Sequence, residues 1–476
     1  MPAGRVRKTK IVCTLGPATT DEATLRRLVS AGMDVARINL SHGTQEEHRG
    51  RISAVRAAAE AEGRVVAVLG DLGGPKIRLG EVAGHPELRA GQRFTLTARP
   101  VTGDSQVASV NYPGLPSEVR PGEAILLADG ALELRVVDRS RTDVTCEVVT
   151  GGAISSRKGV NLPATRLRIS AVTDKDREDI AFAVREKLDY LAVSFVRRAQ
   201  DVKDARAALE GHAASIPIIS KIEKPEALQA LANIVDLSDA IMVARGDLGV
   251  EIPLERVPVV QKEIIRRTRM LGKPVITATQ MLRSMVDSPK PTRAETTDIA
   301  NAIIDGTDAV MLSEETAVGK YPVEAVGMMH RIALEVESAM VQDWFPRAQE
   351  PVHRPDLQSA LAHAVLQASK HPDVSVIVTP SARGTTPMLV SRLRPDTPIL
   401  MLTGSERVAR RFALIFGVTP VRAKMPDGLD GVFELAGREA ARLGMLAPGS
   451  LAVVTAGHPI FGTPTNLIYV LKPERE

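Results

Sequence analysis

At 476 residues the chain is too long for one hydrophobic core, and its length suggests about three domains. Its 61 Lys and Arg nearly balance 57 Asp and Glu, leaving a formal charge of +4, and aromatic residues make up 3 %; a nucleic-acid-binding protein, with a basic stripe and stacking platforms, is not expected. Two cysteines make no disulfide framework, and no apolar run approaches the ~18 residues needed to span a bilayer.

The N-terminal stretch MPAGRVRKTKIVCTLGP is basic, but its apolar run is short and ends in a turn, unlike a signal peptide or an anchor, so a cytoplasmic protein without membrane contact is expected. Lys10 to Gly16 reads as a strand closed by Gly-Pro, and Asp21 to Ala31 has helical spacing, which makes a first βα unit. A second strand, VARINLS, puts Arg37, Asn39 and Ser41 on one face and Ala36, Ile38 and Leu40 on the other. A helix from Gln45 to Glu62 follows, and a third strand, RVVAVLGDL, ends at Asp71. Cys13 falls in the first strand and Cys146 in a later one; both read as buried small hydrophobes.

Between Gly73 and Ser170 the segments RFTLTAR, SQVASVN, AILLADG, LELRVVD and DVTCEVV follow one another without helices, as in a small all-β domain. The α/β alternation resumes at Thr173, where Thr-Asp-Lys-Asp opens a helix, and continues through the strands YLAVSF, PIISKIE, AIMVAR, PVITAT and AVMLSEE. Helices are expected between them, at Ala199 to Leu209, Pro225 to Ile234, Lys262 to Leu271 and Glu295 to Ile304. About eight strands outside the β insert predict a closed (β/α)8 barrel. The polar stretch QDWFPRAQEPVHRPD, from Gln342 to Asp356, reads as a boundary, and VSVIVTP, PILMLTG, TPVRA, SLAVVTAG and NLIYVLK then imply a smaller α/β sheet. The expected fold is therefore α/β: a TIM barrel (residues 1–72 and 171–341), an inserted small β-barrel domain (73–170) and a C-terminal α/β domain (342–476).

Polar residues collect at the carboxyl ends of the barrel strands, where sites in this architecture lie. Lys221 and Glu223 are two apart, so an ammonium and a carboxylate share one face; a structural ion pair accounts for these two alone equally well. In the stretch DAIMVARGDLGVEIP, a buried strand breaks abruptly into Arg245, Gly246 and Asp247. Further pairs at Arg245 and Asp247, Thr277 and Thr279, and Ser313 and Glu315 weaken a purely structural explanation. The inventory holds carboxylates suited to a divalent cation (Glu223, Asp247), cations (Lys221, Arg37) and hydroxyls (Ser41, Thr279, Ser313), with no evident Ser-His-Asp or Cys-His set. Phosphoryl transfer asks for charge neutralisation and positioning more than for a protein nucleophile. Two oxygen ligands with open positions suit Mg²⁺ better than zinc.

KIVCTLGPAT, ARINLSHGTQEEH, LGDLGGPKIRLG, KGVNLP, ISKIE, MVARGDLGVEIP, PVITATQML, SPKPTRAE and MLSEETAVGKYP together resemble the pyruvate kinase family, in its order and over nearly the whole chain. The resemblance implies transfer of phosphoryl from phosphoenolpyruvate to ADP, giving pyruvate and ATP in glycolysis, in a homotetramer. It implies that Glu223 and Asp247 bind Mg²⁺ (or Mn²⁺), that Lys221 sits over the transferring phosphoryl and that Arg37 holds the phosphate. It places Ala244, Arg245, Gly246 and Thr279 at the substrate carboxylate, with Thr279, Ser313 and Glu315 in the region through which a proton reaches the enolate. Asn39, His42, Arg78 and Lys158 fall where the family contacts nucleotide, and Asp129 where the lid closes. The family's K⁺ ligands match Asn39, Ser41, Asp71 and Leu72, but Lys76 stands where K⁺-dependent members often have Glu, so K⁺ is expected to be dispensable. Glu314 stands where small residues are common and is expected to face away from the pocket. The loop Ser381, Arg383, Gly384, Thr385, Thr386 aligns with the family's effector loop, with Ala382 and Arg383 departing from its common Glu-Ser; a phosphorylated sugar or a nucleotide is the expected effector. The competing reading is a nucleotide-independent phosphoenolpyruvate lyase or mutase on the same barrel.

Overall fold

The computed structural model describes residues 6–165, 167–213, 215–341, 356–457 and 464–472. Eight parallel strands close a barrel in strict chain order: β1 (Lys10–Thr14), β2 (Val35–Asn39), β3 (Ala67–Asp71), β4 (Tyr190–Val193), β5 (Ile218–Ile222), β6 (Ala240–Ala244), β7 (Val275–Ala278) and β8 (Ala309–Leu312), with β8 paired back to β1. The period of two sorts the side chains into two cores. Val12, Leu69, Ile219, Met242 and Ile276 fill the inside, while Ile11, Cys13, Ile38, Val68 and Ile222 pack outward against the helices. Ala413 and Leu414, from the C-terminal part of the chain, join the inner cluster. They lie beside Arg410, which pairs at 2.9 Å with buried Asp189 just ahead of β4. That end of the barrel is closed, and the carboxyl end remains for a site.

Helix starts follow local chemistry. Capping boxes at Thr44/Glu47, Thr173/Asp176 and Thr292/Glu295 satisfy backbone donors that the first helical turn leaves free. The helices that position the site are α1 (Asp174–Arg185), α2 (Arg245–Glu251), α3 (Val257–Met270), α4 (Arg293–Ile304) and α5 (Pro322–Val341).

Several element ends differ from the sequence reading. The strand AIMVAR stops at Ala244, and Arg245 and Asp247 lie on the short helix α2. AVMLSEE stops at Leu312, and Ser313 precedes the helical turn Glu314–Ala317 without a side-chain capping bond. PVITAT stops at Ala278, because Thr279 and Gln280 take positive φ of 73° and 56°. The two-residue alternation therefore does not extend to these positions, each of which lies beyond the last ladder pair. The expected helix from Pro225 to Ile234 is two, Pro225–Gln229 and Leu231–Leu237.

Between β3 and α1 the chain forms a six-stranded sheet, in the order Val160–Asn161, Ala124–Leu127, Leu132–Arg139, Asp143–Thr150, Arg93–Thr97, Val107–Ser109. Its two edges are joined by one segment: Arg78 bridges to Gly159 beside the first strand, and Leu79 bridges to Val110 beside the last. Phe94, Leu96, Leu134, Val136 and Cys146 fill its core. The C-terminal sheet comprises β9 (Val374–Pro380), β10 (Ile399–Thr403), β11 (Val418–Arg422), β12 (Leu451–Ala456) and β13 (Leu467–Leu471), with α6 (Thr385–Arg392) following β9. Residues 342–355 of the expected boundary lie outside the described residues. No helix among the described residues is long and apolar enough to cross a membrane.

Gly16, just past β1, sets the spacing between the β1 and β8 loops: a Cβ there would lie 2.5 Å from the Ala317 carbonyl oxygen and 2.8 Å from its Cβ. Because the nearest obstacle is backbone of a helical turn anchored by buried Glu315 and Thr316, Gly16→Ala is expected to lower stability by about 1–3 kcal/mol, read as a shift of the urea unfolding midpoint at unchanged slope.

Candidate active site

Strand β2 turns Arg37 and Asn39 to the same inner side as Val35, and β5 does the same for Lys221 beyond Ile219. At the carboxyl end these groups meet Asp71 at the tip of β3. Arg37 donates from Nε to Asp71 Oδ2 at 2.7 Å and from Nη1 to Thr14 Oγ1 at 2.9 Å. Lys221 Nζ lies 2.8 Å from Glu223 Oε1, 3.4 Å from Asp71 Oδ1 and 2.8 Å from Ser194 Oγ. The Ser194 hydroxyl in turn donates to the Leu72 carbonyl at 2.7 Å.

One ammonium is thus shared by two carboxylates, both almost fully buried. Burial works to neutralise Lys221, but the opposing charges of Asp71 and Glu223 outweigh it and raise its pKa. Lys221 is nearer to Glu223, yet the two acids shift oppositely. Burial opposes ionisation of Asp71, but Lys221 and Arg37 together hold it below the usual carboxylate range. For Glu223, burial and the charge of Asp247 outweigh the Lys221 ammonium and a bond from the Phe195 N–H, so its pKa is raised. Its Oε2 accepts from the Phe195 N–H at 2.7 Å, whereas Oε1, though close to Lys221, is buried without a hydrogen-bond partner.

A pocket of about 280 Å³ opens onto this cluster. Its walls carry five cationic side chains (Arg37, Lys76, Arg78, Lys175, Lys221) against three carboxylates (Asp71, Glu223, Asp247), together with Asn39, Ser41, His42 and Leu72. An anionic occupant is favoured by that imbalance. His42 is held below its ordinary pKa by burial and by the charges of Arg78, Lys76 and Lys175, so it lines the pocket as a neutral imidazole. Lys76 Nζ lies 3.2 Å from Asp247 Oδ1, and it turns to that carboxylate from the insert side.

Glu223 and Asp247 offer hard oxygen donors, one of them an orphaned buried oxygen, and among the described residues no group of three or more His, Cys, Asp and Glu forms a fuller cage. Two protein ligands with positions left for substrate and water fit Mg²⁺ or Mn²⁺.

Other residues singled out in the sequence lie around this pocket rather than in it. The Arg245 side chain turns away, donating to Asp298 and to the Thr279 carbonyl, each at 2.7 Å, which fixes the start of α2 against the β7 loop. Thr279 Oγ1 accepts from the Gly246 N–H at 2.8 Å and donates to the Ala278 carbonyl at 2.7 Å. A β-branched residue at positive φ is strained, and these two bonds hold it there. Glu315 is buried and accepts from the N–H groups of Ser313 (2.7 Å) and Leu282 (3.0 Å), joining the β7 and β8 loops. Glu314 turns outward to Arg283 at 2.8 Å. Lys158 is exposed on the insert rim, and a Cβ at neighbouring Gly159 would meet Asp129 Oδ1 and Lys76 Cε, both at 3.5 Å. The insert is tied to α2 by Asn161 Nδ2 donating to Glu251 Oε1 at 2.7 Å. In the C-terminal sheet, Ser381 Oγ accepts from the Gly384 N–H at 2.9 Å, Gly384 takes φ of 87°, and Arg383 is exposed. Sequence reasoning missed Ser194 and Lys175; Ser194 ends the strand YLAVSF, and the carboxyl-end rule applied to that strand would have found it.

A family model described as pyruvate kinase, barrel domain, matches residues 6–326, and one described as pyruvate kinase, alpha/beta domain, matches residues 359–471. The chain belongs to the pyruvate kinase family. It is 46 % identical to the pyruvate kinase of Geobacillus stearothermophilus over 469 residues, 98 % of this chain and 80 % of that protein. To the pyruvate kinase of Staphylococcus aureus strain USA300 it is 43 % identical over 464 residues, 97 % of this chain and 79 % of that one. The family is one of phosphotransferases, and the matched span contains every barrel residue described above.

The depressed pKa of Asp71 has a consequence for stability. Its contribution is fully present above the unfolded carboxylate value of ~3.9 and is lost as pH falls through the lower folded value. Asp71→Asn is expected to be less stable than wild type by about 3 kcal/mol at pH 7, with the gap closing below about pH 4, as read from urea unfolding across that range.

Proposed function

We propose that the chain transfers the phosphoryl group of phosphoenolpyruvate to ADP: the bond from phosphorus to the enol oxygen breaks, a bond to the terminal ADP oxygen forms, and the enolate takes a proton to become pyruvate. The observation that carries this reading is the cation-rich pocket in which Lys221, held charged by two buried carboxylates, stands beside Arg37 and the orphaned Glu223 oxygen. Arg37 and Lys221 are placed to neutralise the phosphoryl oxygens as charge shifts to the leaving side. Glu223 and Asp247 would hold the divalent cation, Mg²⁺ or Mn²⁺, which when bound supplies further positive charge to substrate oxygens. The start of α2, with Ala244, Arg245 and Gly246 and the adjoining Thr279, borders the place of the substrate carboxylate. The proton reaches the enolate through the region of Thr279, Ser313 and Glu315. Asn39, His42, Arg78 and Lys158 face the nucleotide, with the insert and its Asp129 forming the second wall that a lid provides. Lys76 supplies in this pocket the charge that K⁺ supplies at Asn39, Ser41, Asp71 and Leu72 in K⁺-dependent relatives. The enzyme works as a homotetramer, and the loop Ser381–Thr386 takes a phosphorylated sugar or a nucleotide as effector.

Pyruvate release from phosphoenolpyruvate, ADP and Mg²⁺, measured in tetramethylammonium buffer with and without KCl, tests the reading. Wild type is expected to be active without K⁺ and unchanged by it, and Lys76→Glu to become K⁺-dependent; strong activation of wild type by KCl would contradict the role given to Lys76. Lys221→Met is expected to lower kcat by roughly 10²–10³-fold or more, the scale of losing one charge-stabilising group at a reacting centre.

A further inference from the structure

Between the barrel and the C-terminal sheet, away from the site above, a pocket encloses about 250 Å³. Three arginines line it. Arg269 ends the helical turn before Met270 on α3, Arg392 ends α6, and Arg394 follows two residues later. Only Arg394 is satisfied: it pairs with Asp308 at 2.9 Å, donates to the Gly306 carbonyl at 2.8 Å and lies 3.8 Å over the Phe416 ring.

Arg269 and Arg392 have no side-chain hydrogen bond or ion pair among the described residues, and the Nε of Arg392 is buried without a partner. Each guanidinium is seated against a glycine where a carboxylate would ordinarily be. A Cβ at Gly306 would collide with Arg269 Nη1, and one at Gly272 with Arg392 Nε. Both glycines stand at positive φ, 95° and 63°, so both turns are shaped to receive the groups. Burial and the charge of Arg394 push Arg269 down to about 10, and burial lowers Arg392. The walls also carry Lys8, Lys370, Glu337 and Asp396, and Asp308, which acts on Arg269, is paired with Arg394; cations outnumber carboxylates in the pocket, so an anion is favoured there.

We propose that this pocket is a binding site for a phosphate dianion, held by Arg269 from the barrel and Arg392 from the C-terminal sheet. The planar guanidinium fork suits phosphate oxygens. An apolar part of the wall, Ile303, Ile304, Met340, Leu366 and Leu393, adjoins the charged groups and leaves room beyond the anion, so the occupant is a small phosphate monoester. Because the two arginines come from different parts of the fold, the ligand clamps the barrel to the C-terminal sheet. α6 starts at the loop Ser381–Thr386 and ends at Arg392, which puts the two ends of one helix at two separate anion-seeking places.

The test is calorimetric titration of the full chain in phosphate- and sulfate-free buffer, with phenyl phosphate and inorganic phosphate as probes, on wild type, Arg269→Met, Arg392→Met and the charge-keeping Arg392→Lys. Phosphate binding in the barrel pocket is common to all four and drops out of the comparison. Both Met variants are expected to lose one binding component, weakened roughly 10- to 100-fold, with partial retention in Arg392→Lys. Their Tm in anion-free buffer is expected to equal or exceed that of wild type, since an uncompensated cation has been removed. Tighter binding of phenyl phosphate identifies an organic monoester as occupant, and equal binding identifies the free ion. Unchanged isotherms in both Met variants overturn the proposal, as does a lower Tm in anion-free buffer, which would mark both arginines as structural cations.

Discussion

A single ammonium set between two buried carboxylates is the constraint on which the barrel site depends. Lys221 on β5 reaches Glu223 just beyond its own strand and Asp71 on β3, while Ser194, past the end of β4, links it to the Leu72 carbonyl. Arg37 on β2 joins through Asp71. Four adjacent strands are therefore held in register at their carboxyl ends by one charge network, and the same network sets the ionisation of its members. Arg37 settles which acid is the better compensated: the pKa of Asp71 is lowered and that of Glu223 raised, while each keeps one buried oxygen, Asp71 Oδ1 and Glu223 Oε1, beside Lys221 without a hydrogen bond. The features that make the cluster costly as scaffold make it serviceable as a seat for a metal and an anionic substrate.

The insert depends on that network less than on α2. Asn161 binds Glu251, which also accepts from Lys224, and the turn at Gly130 comes within reach of Val250. Lys76, on the segment leaving β3, reaches Asp247 on the same helix. The short helix after β6 is thus the place where the barrel's charged cluster, the insert and the strained Thr279 turn meet. A closing or opening motion of the insert would be felt at Asp247 directly.

Much of this was legible in the sequence where a residue's surroundings follow from its own strand. Alternation in VARINLS placed Arg37 and Asn39 inward, and alternation in PIISKIE did the same for Lys221 and Glu223, because a strand with a filled barrel on one side has one register. The eight barrel strands and the five C-terminal strands were legible for the same reason. Alternation failed at Arg245, Thr279 and Ser313, which lie past the last ladder pair where loop conformation takes over. What stayed hidden depends on contacts between distant segments. Lys76 and Asp247 are 171 positions apart, the closure of the insert rests on isolated bridges at Arg78 and Leu79, and the bare guanidinium groups of Arg269 and Arg392 look in sequence like ordinary surface arginines at helix ends.

The central claim is that this pocket moves a phosphoryl group between two bound molecules, and phosphorus NMR of phosphoenolpyruvate, ADP and Mg²⁺ incubated with the protein tests it most directly. The account predicts that the phosphoenolpyruvate resonance is replaced by the γ-phosphate of ATP as ADP is consumed. Release of inorganic phosphate, or appearance of a carbon-bonded phosphonate, with ADP unchanged would contradict it and turn the same charged cluster over to lyase or mutase chemistry.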